Sequence, residues 1–480
     1  MSLLVRGISS IYHRMKSNVI KLMLLAMPIL CSACNSKDDG RLTLPDDLTP
    51  GQSGEEEVQN VIANWDMEAD VSMELVEEPL SDNWSYIGGW NGGAATPQQF
   101  DDRGMKGSRC LALSAEEDVD VAFAQKIKVT PGTPYKASAR IKTEAVSGGA
   151  GGHLSLDYLW APRSEAVTAS KDWTYVTLEF EPETEYVTLC LKLGNTAASC
   201  SGTAYFDNVS LKVNTDLHIL ASEHARLVVD KSLVTVSDDV IMDWLKKLDM
   251  VYEAYIELFS GREPFDGKIT TIRSASIDAW AYAGNPVQWN ENYIAESLLK
   301  VKRGDWCFGL MHEFGHNFAP YISDASYSWN FNEELFANFR MYYALCKLDG
   351  VVITDASVPN GDGTYTSKEK TYVGSEIMEL YKSETSNCYD RTIGAGKAVE
   401  MGNGLCYLFC RTVERYGWQM WIDTFDELYK IPRNQAEEQS MNSWQKFEML
   451  HTYLKKHAPT NAELFTQAEL NTIKAYLEAN

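Results

Sequence analysis

Basic residues are scarce in this sequence. Lysine and arginine number 43 against 67 aspartates and glutamates, so the 480 residues carry a formal charge of -24. A nucleic-acid groove needs clustered lysine and arginine to neutralise phosphates, and this balance argues against one. The composition is otherwise that of a soluble protein long enough for two or three domains, each with its own core.

Metal-binding cysteine spacings are also missing from the mature part of the chain. The eight cysteines after Cys34 show no CxxC or zinc-ribbon spacing, which argues against those metal sites there. Cys406 and Cys410 share a helical face and are predicted to lie in a core. Disulfides would be possible in an exported protein, but the sequence does not give their connectivity. The cysteines after Cys34 are Cys110, Cys190, Cys200, Cys307, Cys346, Cys388, Cys406 and Cys410.

Apolar runs long enough to span a membrane are absent too, because a span takes roughly 20 residues and every apolar run here is shorter. The run from Val19 to Leu30 is shorter, follows a basic stretch and precedes small residues, which is typical of a secretion signal. The ending ILCSAC resembles a bacterial lipobox with Cys34 as the lipidated residue, although Cys31 stands where leucine is usual. Simple cleavage near Ala33 is the alternative.

Residues 1–34 are therefore predicted to be a lipoprotein signal peptide. The acidic NSKDDG directly after Cys34 resembles the tag that sends lipoproteins of some Gram-negative bacteria to the outer face. We expect an exported bacterial lipoprotein of the outer membrane, displayed on the cell surface and held to the membrane by its lipid anchor only.

The remaining chain divides into three segments that differ in composition and periodicity, which predicts a multidomain α+β protein. Residues 35–58 are polar, with proline, glycine and a glutamate run, and read as a flexible linker. Residues 59–214 carry short strand-like runs separated by turn residues, which predicts a β-sandwich of the jelly-roll type. The runs are AFAQKIKV, PYKASARIKT, HLSLDYLW, WTYVTLEFE, YVTLCLKL and AYFDNVSLKV.

Residues 215–480 change to helical periodicity. One strand, KITTIRSAS, precedes most of the helices, so the domain is expected to be mainly α-helical with a small sheet. The predicted helices are VIMDWLKKLDMVYEAYIELF, WCFGLMHEFGHNF, NEELFANFRMYYALCKL, GNGLCYLFCRTVERYGW, QMWIDTFDELYKI and SWQKFEMLHTYLKKH.

The helix WCFGLMHEFGHNF carries the motif most indicative of chemistry. His312 and His316 are four residues apart, so they project about 40° apart around a helix and can bind one Zn²⁺ together. Glu313 lies off that face and is suited to reach a water on the metal. The alternative is a pair of core histidines. Gly315 counts against it, because glycine inside a helix costs about 1 kcal/mol and indicates close packing there.

A catalytic zinc site usually needs a third protein ligand. The following segment NEELFANF offers Glu333 and Glu334. Helical periodicity does not separate these two acids, and Glu333 is also suited to the positive end of a helix dipole.

The segment resembles the gluzincin metallopeptidases, in which a glutamate on a second helix completes the site and is followed by x-Phe-Ala. Glu334 matches that pattern and Glu333 does not. With AYAGNPVQW before it and YGW after it, the HExGH form over residues 216–480 resembles the enhancin-like, mucin-degrading metallopeptidases (peptidase family M-sixty). Asn338, four residues after Glu334, also fits the pattern of that family. The resemblance implies a zinc metalloendopeptidase that cleaves beside O-glycosylated serine or threonine.

On this picture His312, His316 and Glu334 bind Zn²⁺ and Glu313 is the general base. The strand before the helix, near Tyr282 to Asn285, is expected from the resemblance to line the cleft. Three tyrosines are open as oxyanion donors, and two tryptophans could stack on sugars or belong to the core. They are Tyr342, Tyr343 and Tyr389, and Trp280 and Trp289.

The strand-rich segment resembles galactose-binding-like jelly rolls, the fold of many carbohydrate-binding modules, on VIANWDMEAD and AYFDNVSL at its ends. The resemblance implies a structural Ca²⁺ near Glu68 and Asp207. Sugar binding would use flat aromatic rings, which are predicted in a Gly-rich loop and a loop edge rather than at Trp173 in a strand, with the core as the alternative. The loop candidates are Trp84, Tyr86, Trp90 and Trp160.

The expected partners are therefore O-glycosylated proteins such as mucins, with the glycan recognised as part of the substrate. Two other functions stay open. The chain could be a glycan-binding surface adhesin with a catalytically silent metallopeptidase-like domain, although such a domain has no need for Glu313. A glycosidase normally uses two carboxylates that flank a bond, and the sequence offers no identifiable pair.

Overall fold

The computed structural model describes residues 60–89, 93–156, 163–319, 329–362, 364–431 and 440–479. The chain forms two compact units that divide between Thr215 and Asp216. The predicted lipidation site Cys34 and the loop candidates Trp90 and Trp160 lie outside the described residues.

The first unit is a β-sandwich of two five-stranded sheets. One sheet has the order β1-β2-β5-β9-β7 and the other β3-β4-β10-β6-β8. All neighbouring strands are antiparallel except β1 and β2, and residues of both sheets share one hydrophobic core. The strands are β1 (Leu75–Val76), β2 (Ser85–Gly88), β3 (Thr96–Phe100), β4 (Cys110–Val119), β5 (Val121–Lys128), β6 (Tyr135–Gly148), β7 (Gly152–Leu156), β8 (Ala169–Phe180), β9 (Tyr186–Leu193) and β10 (Cys200–Val213).

Alternation explains how these strands build a sandwich. Side chains point to opposite faces of a strand in turn, so Leu111 and Leu113 of β4 enter the shared core. Cys110 and Ala112 between them belong to a separate cluster on the outer face of the same sheet. All six strand-like runs in the sequence contribute to strands, which confirms the strand-rich prediction for this segment.

The second unit contains a five-stranded mixed sheet and a separate hairpin. The sheet has the order β11-β12-β13-β15-β14, with β12, β13 and β15 parallel and β14 as an edge strand. Of these seven strands the sequence predicted β13 and a strand near Tyr282 to Asn285, which overlaps β14 at Tyr282. They are β11 (Leu217–Ala221), β12 (Ala225–Asp230), β13 (Thr270–Ala275), β14 (Ala281–Tyr282), β15 (Val287–Asn290) and the hairpin strands β16 (Val351–Pro359) and β17 (Tyr365–Val373).

Nine α-helices occur among the described residues of this unit, and six of them match the predicted ones. The helices missed in the sequence are α2, α5 and α9. None of the described helices is long and apolar enough to span a membrane. The helices are α1 (Asp238–Leu258), α2 (Glu291–Lys302), α3 (Phe308–Asn317), α4 (Glu333–Leu348), α5 (Met378–Lys382), α6 (Gly402–Tyr416), α7 (Gln419–Leu428), α8 (Ser443–His457) and α9 (Gln467–Leu477).

Helix α3 is fixed from two sides. Its carbonyl at Met311 accepts a hydrogen bond from the buried Tyr255 hydroxyl of α1 at 2.9 Å. On its other side Gly315 packs against α4, where a Cβ would lie 3.1 Å from the carbonyl oxygen of Ala337. The close packing expected at Gly315 is thus a contact with a second helix, and it brings α3 and α4 together along the HExxH motif.

Gly309 at the start of α3 gives a testable packing prediction. A Cβ there would lie 2.2 Å from the Trp280 ring, whereas a Cβ on the helical Gly402 would meet only ordinary contacts. Overpacking typically costs about 1–3 kcal/mol, more than the roughly 1 kcal/mol that alanine gains over glycine in a helix. We expect Gly309→Ala to lower the melting temperature of the full chain and Gly402→Ala to leave it equal or higher. Equal melting temperatures for Gly309→Ala and the native chain would contradict this packing.

Candidate metal centre

The metal-binding candidates come from two adjacent helices. Helix α3 carries His312 and His316 one turn apart on the face toward α4, and His312 is only 9% exposed. Helix α4 begins at Glu333 because the side chain of Asn332 accepts a hydrogen bond from the Leu335 N–H and caps its N-terminus. This start places Glu333 and Glu334 in the first helical turn, beside the two histidines.

Three side chains converge at this helix pair. The Nε2 atoms of His312 and His316 are 3.0 Å apart. An Oε2 atom of Glu334 lies 3.1 Å from the first of these nitrogens and 3.6 Å from the second. One ligand atom from each residue lies within 4.8 Å of the others, and no other such group of three or more His, Cys, Asp or Glu occurs among the described residues.

Glu333 has different contacts. Its carboxylate accepts hydrogen bonds from the Arg340 guanidinium and from Asn330 Nδ2. It lies 3.4 Å from the Nδ1 atom of His316, on the side of the ring away from Glu334. The structure therefore puts Glu334 in the converging group and Glu333 behind it.

His312 has a corresponding neighbour. Its Nδ1 atom lies 2.9 Å from the Oδ1 atom of Asn338, one turn along α4 from Glu334. An amide oxygen only accepts hydrogen bonds, so Asn338 can accept the Nδ1 proton of His312 while Nε2 serves as a metal ligand. Metal-bound histidines commonly have such an acceptor on the second ring nitrogen.

Charge interactions across the group are strong. Burial opposes ionisation of His316, but hydrogen bonds to Glu333 and Glu334 outweigh it and raise the pKa of His316 to about 10. Burial also opposes ionisation of Glu334, and the two imidazoles nevertheless lower the pKa of that carboxyl below its usual range. Glu334 is thus held as a carboxylate, the form in which it can bind a cation.

Glu313 lies beside the group without belonging to it. It is buried, and desolvation raises its pKa above the ordinary glutamate value while His312 and His316 partly counter this effect. Its carboxylate accepts a hydrogen bond from the backbone of Ala283. A buried carboxylate with a raised pKa next to a metal-binding group is suited to accept and return a proton.

The segment that follows the edge strand β14 is bonded to α3. The Asn317 side chain accepts from the Gly284 N–H at 2.8 Å and donates to the Gly284 carbonyl at 3.0 Å. Tyr282 is partly exposed, and its hydroxyl donates to Asp278 at 2.7 Å. The hydrogen bond to Asp278, together with desolvation and nearby negative charge, raises the pKa of Tyr282 to about 12. Residues 282–284 thus lie next to Glu313.

The donor set fits zinc. Two imidazole nitrogens and one carboxylate oxygen are the ligands of one established class of catalytic zinc site, which keeps a fourth position for water or substrate. Both imidazoles have acceptors on their outer nitrogens. The residues present therefore meet both the ligand and the outer-shell requirements.

The tyrosines considered as oxyanion donors have other hydrogen bonds. Tyr343 donates to Glu257 at 2.9 Å and Tyr389 donates to Glu469 at 2.8 Å. Tyr342 is buried and its hydroxyl is hydrogen-bonded to Cys346. Trp289 is fully buried, so it cannot stack on a sugar, and Trp280 is partly buried between it and Tyr293.

The predicted sugar-stacking role of Trp84 and Tyr86 is wrong. Trp84 is 1% exposed, and its indole N–H donates to the Asn64 carbonyl. Tyr86 is buried in β2 and packs against Phe123. The neighbouring glycines suggested a loop, but both rings belong to the sandwich core and have no free face for a saccharide.

The two calcium candidates, Glu68 in a loop and Asp207 in strand β10, have protein partners. The buried Asp207 accepts hydrogen bonds from the Met105 N–H and the Ser108 hydroxyl, and burial raises its pKa. Glu68 accepts from the Arg109 N–H at 3.1 Å. These bonds account for the burial of Asp207 without an ion, and Ca²⁺ at this place stays a prediction.

Four aromatic residues that the sequence analysis did not identify as one surface lie on the outer face of the sheet β3-β4-β10-β6-β8. We call Phe100, Trp173, Tyr175 and Tyr205 the aromatic face. Phe100 and Trp173 pack against Tyr205 and its neighbours, and Tyr175 is 54% exposed beneath the guanidinium of Arg140. The signal in the sequence was the spacing of Trp173 and Tyr175, because residues two apart in a strand share a face.

No family model matches the chain, and no curated protein matches it. Similar solved structures include a Bacteroides thetaiotaomicron protein provisionally assigned to sugar binding, with 13% identity, TM-score 0.27 and coverage of 32% of this chain and 100% of the other. The carbohydrate-binding module TmCBM61 in complex with β-1,4-galactotriose has 12% identity, TM-score 0.22 and coverage of 32% and 99%.

The xylan-binding domain CBM22-1 of Paenibacillus barcinonensis Xyn10C has 10% identity, TM-score 0.19 and coverage of 28% of this chain and 89% of the other. Similarities at these scores are too distant to carry an argument about this chain. The description of its first unit as a β-sandwich rests on its own sheets and shared core.

Proposed function

We propose that this chain is a zinc-dependent peptidase. The observation that carries the proposal is the convergence of His312, His316 and Glu334 within 4.8 Å, with Glu313 buried beside them. Two histidines and an acid from separate helices, each with an outer-shell partner or a counter-charge, form a costly arrangement for a purely structural core.

Each residue has a role in this proposal. His312, His316 and Glu334 would hold the ion. Zinc bound there would supply Lewis-acid chemistry, which lowers the pKa of a water molecule to about 7 and polarises a carbonyl group. Glu313 accepts the proton of the attacking water and then delivers it to the departing amine, a role that its burial and raised pKa favour. The Ala283 N–H orients the carboxylate of Glu313.

The substrate class follows from the sequence resemblance. The proposed substrates are O-glycosylated proteins such as mucins, with the glycan recognised as part of the substrate. A lipid anchor at Cys34 would hold the enzyme on the outer membrane, where such glycoproteins are met. Tethering would raise the local concentration of enzyme at that surface.

Mass spectrometry of a defined O-glycopeptide tests this function. We expect new peptide amino termini beside the glycosylated residue, no cleavage of the same peptide without its glycan, and loss of activity with a chelator that zinc restores. Free sugars released from a peptide-free glycan would favour a glycosidase instead. An intact glycopeptide in the presence of bound zinc would favour the silent, glycan-binding alternative.

Glycan binding by the sandwich is the second candidate function, and the aromatic face is the observation that favours it. Tyr175 is exposed and Phe100 and Trp173 are partly exposed. Such rings can stack on the apolar faces of sugars, and neighbouring charged groups can form hydrogen bonds to their hydroxyls. On this face the Tyr205 hydroxyl donates to Glu144, which also pairs with Lys142 at 3.0 Å.

Substitutions on the aromatic face test the second function. We expect Trp173→Ala and Tyr175→Ala to weaken retention on immobilised O-glycans roughly two- to tenfold each, since an aromatic contact contributes about 0.5–1.5 kcal/mol beyond its buried area. Tyr186→Ala is the matched control, because Tyr186 is 48% exposed on the other sheet. Equal weakening by all three changes, or by none, would contradict a site on this face. Affinity electrophoresis in glycan-containing gels provides the measurement.

A further inference from the structure

A charged pair lies behind the candidate metal centre. Arg340 of α4 is fully buried, and its guanidinium donates to the carboxylate of Glu333 two turns earlier. It also donates to the carbonyl of Gly315 at 3.1 Å. A buried guanidinium without a partner is strongly unfavourable, so this arrangement fixes the position of the Glu333 carboxylate and ties it to α3.

The fixed carboxylate of Glu333 in turn positions the imidazole ring of His316. Its carboxylate lies 3.4 Å from His316 Nδ1, and Asn330 Nδ2 holds it from another side at 2.5 Å. A carboxylate can only accept a hydrogen bond from an imidazole. When His316 binds a metal ion through Nε2, its remaining proton is therefore on Nδ1 and faces Glu333.

The two histidines thus have different outer partners. His312 donates from Nδ1 to a neutral amide oxygen of Asn338, whereas His316 faces a charged carboxylate backed by a guanidinium. A negative acceptor increases the basicity of the imidazole more than a neutral one does, which strengthens its bond to a metal. The acid next to the ligand Glu334 in sequence is then neither a ligand nor a simple helix-dipole residue.

We infer that Glu333, held in place by Arg340, is a positioning residue that orients His316 for metal binding and raises the zinc affinity of the centre. The inference rests on the proposed metal centre, and it gives a role to a residue that is not itself a ligand. Loss of an outer-shell partner of this kind typically lowers metal affinity about 10- to 100-fold.

Zinc affinity of the full chain, measured by competition with a fluorescent chelator, tests the inference without using activity. We expect Glu333→Gln to raise the zinc dissociation constant about 10- to 100-fold while still binding one equivalent at saturation. Glu333→Asp keeps the charge and should recover part of the loss. The matched control is Glu253→Gln, because Glu253 contacts His224 at 2.7 Å elsewhere in the same unit and should not affect zinc.

Thermal melting of each variant separates folding from positioning. If Glu333→Gln destabilises the fold by leaving Arg340 unpaired, the comparison of Glu333→Asp with the native chain still decides the matter, because a purely structural role would leave the affinity of the folded protein unchanged. A native dissociation constant for both Glu333 variants would overturn the inference and leave the proposed function intact. Absence of zinc binding by the native chain would instead refute the proposed function.

Discussion

Glu313→Gln is expected to abolish peptide hydrolysis while leaving zinc bound. The amide has nearly the shape of the carboxylate, but it cannot accept the proton of the attacking water. General acid–base catalysis contributes roughly 10²- to 10⁴-fold, so we expect a loss of this size in kcat/KM. Glu313 is not one of the three converging ligand groups, and the zinc content should therefore remain at one equivalent.

Cleavage of a glycopeptide followed by mass spectrometry, with zinc quantified in the same samples, measures this result. Glu296→Gln is the control, because Glu296 is an exposed acid on α2 that pairs only loosely with Lys300 at 3.5 Å. Near-native hydrolysis by a zinc-loaded Glu313→Gln protein would show that the general base is another residue.

Glu334→Ala should have the largest effect on the metal. It removes one of three donors and the negative charge that two imidazoles share at 3.1 and 3.6 Å. The zinc affinity should fall by more than the 10- to 100-fold typical of outer-shell changes, and hydrolysis should be lost with the metal. Chelator competition on Glu334→Ala and Glu333→Gln side by side gives the comparison.

The relative loss of zinc affinity in Glu334→Ala and Glu333→Gln shows which acid is the ligand. If Glu333→Gln lost zinc completely and Glu334→Ala retained it, the assignments of ligand and positioning residue would be reversed. Folding can be followed by the melting temperature, which we expect to change less for Glu334→Ala than for Glu333→Gln. Glu333 pairs with the buried Arg340, whereas the side chain of Glu334 is 45% exposed.

Local periodicity in the sequence predicted six of the helices and the strands of the sandwich. It did not decide which of the two adjacent acids, Glu333 or Glu334, faces the histidines. Glu333 and Glu334 differ by about 100° around a helix that begins with them, and which acid faces the histidines depends on how α4 packs against α3. Only the resemblance favoured Glu334 in the sequence. A further signal was available in Arg340, which lies two turns after Glu333 on the same face of the helix and pairs with it in the core.

The hairpin β16-β17 was missed for a different reason. Strand β17 is YTSKEKTYV, and most of its residues are exposed. A strand that buries few side chains shows no alternation of apolar and polar residues, so pattern recognition has nothing to detect. The predicted exposure of Trp84 and Tyr86 failed in the opposite sense, because nearby glycines suggested a loop where β2 enters the core.

X-ray absorption at the zinc edge of the purified, zinc-replenished chain tests the central claim most directly. The account predicts one equivalent of zinc with only nitrogen and oxygen neighbours at about 2.0–2.1 Å, including the outer-ring scattering of two imidazoles. Sulfur neighbours near 2.3 Å, a single imidazole, or no retained zinc would contradict a centre built from His312, His316 and Glu334.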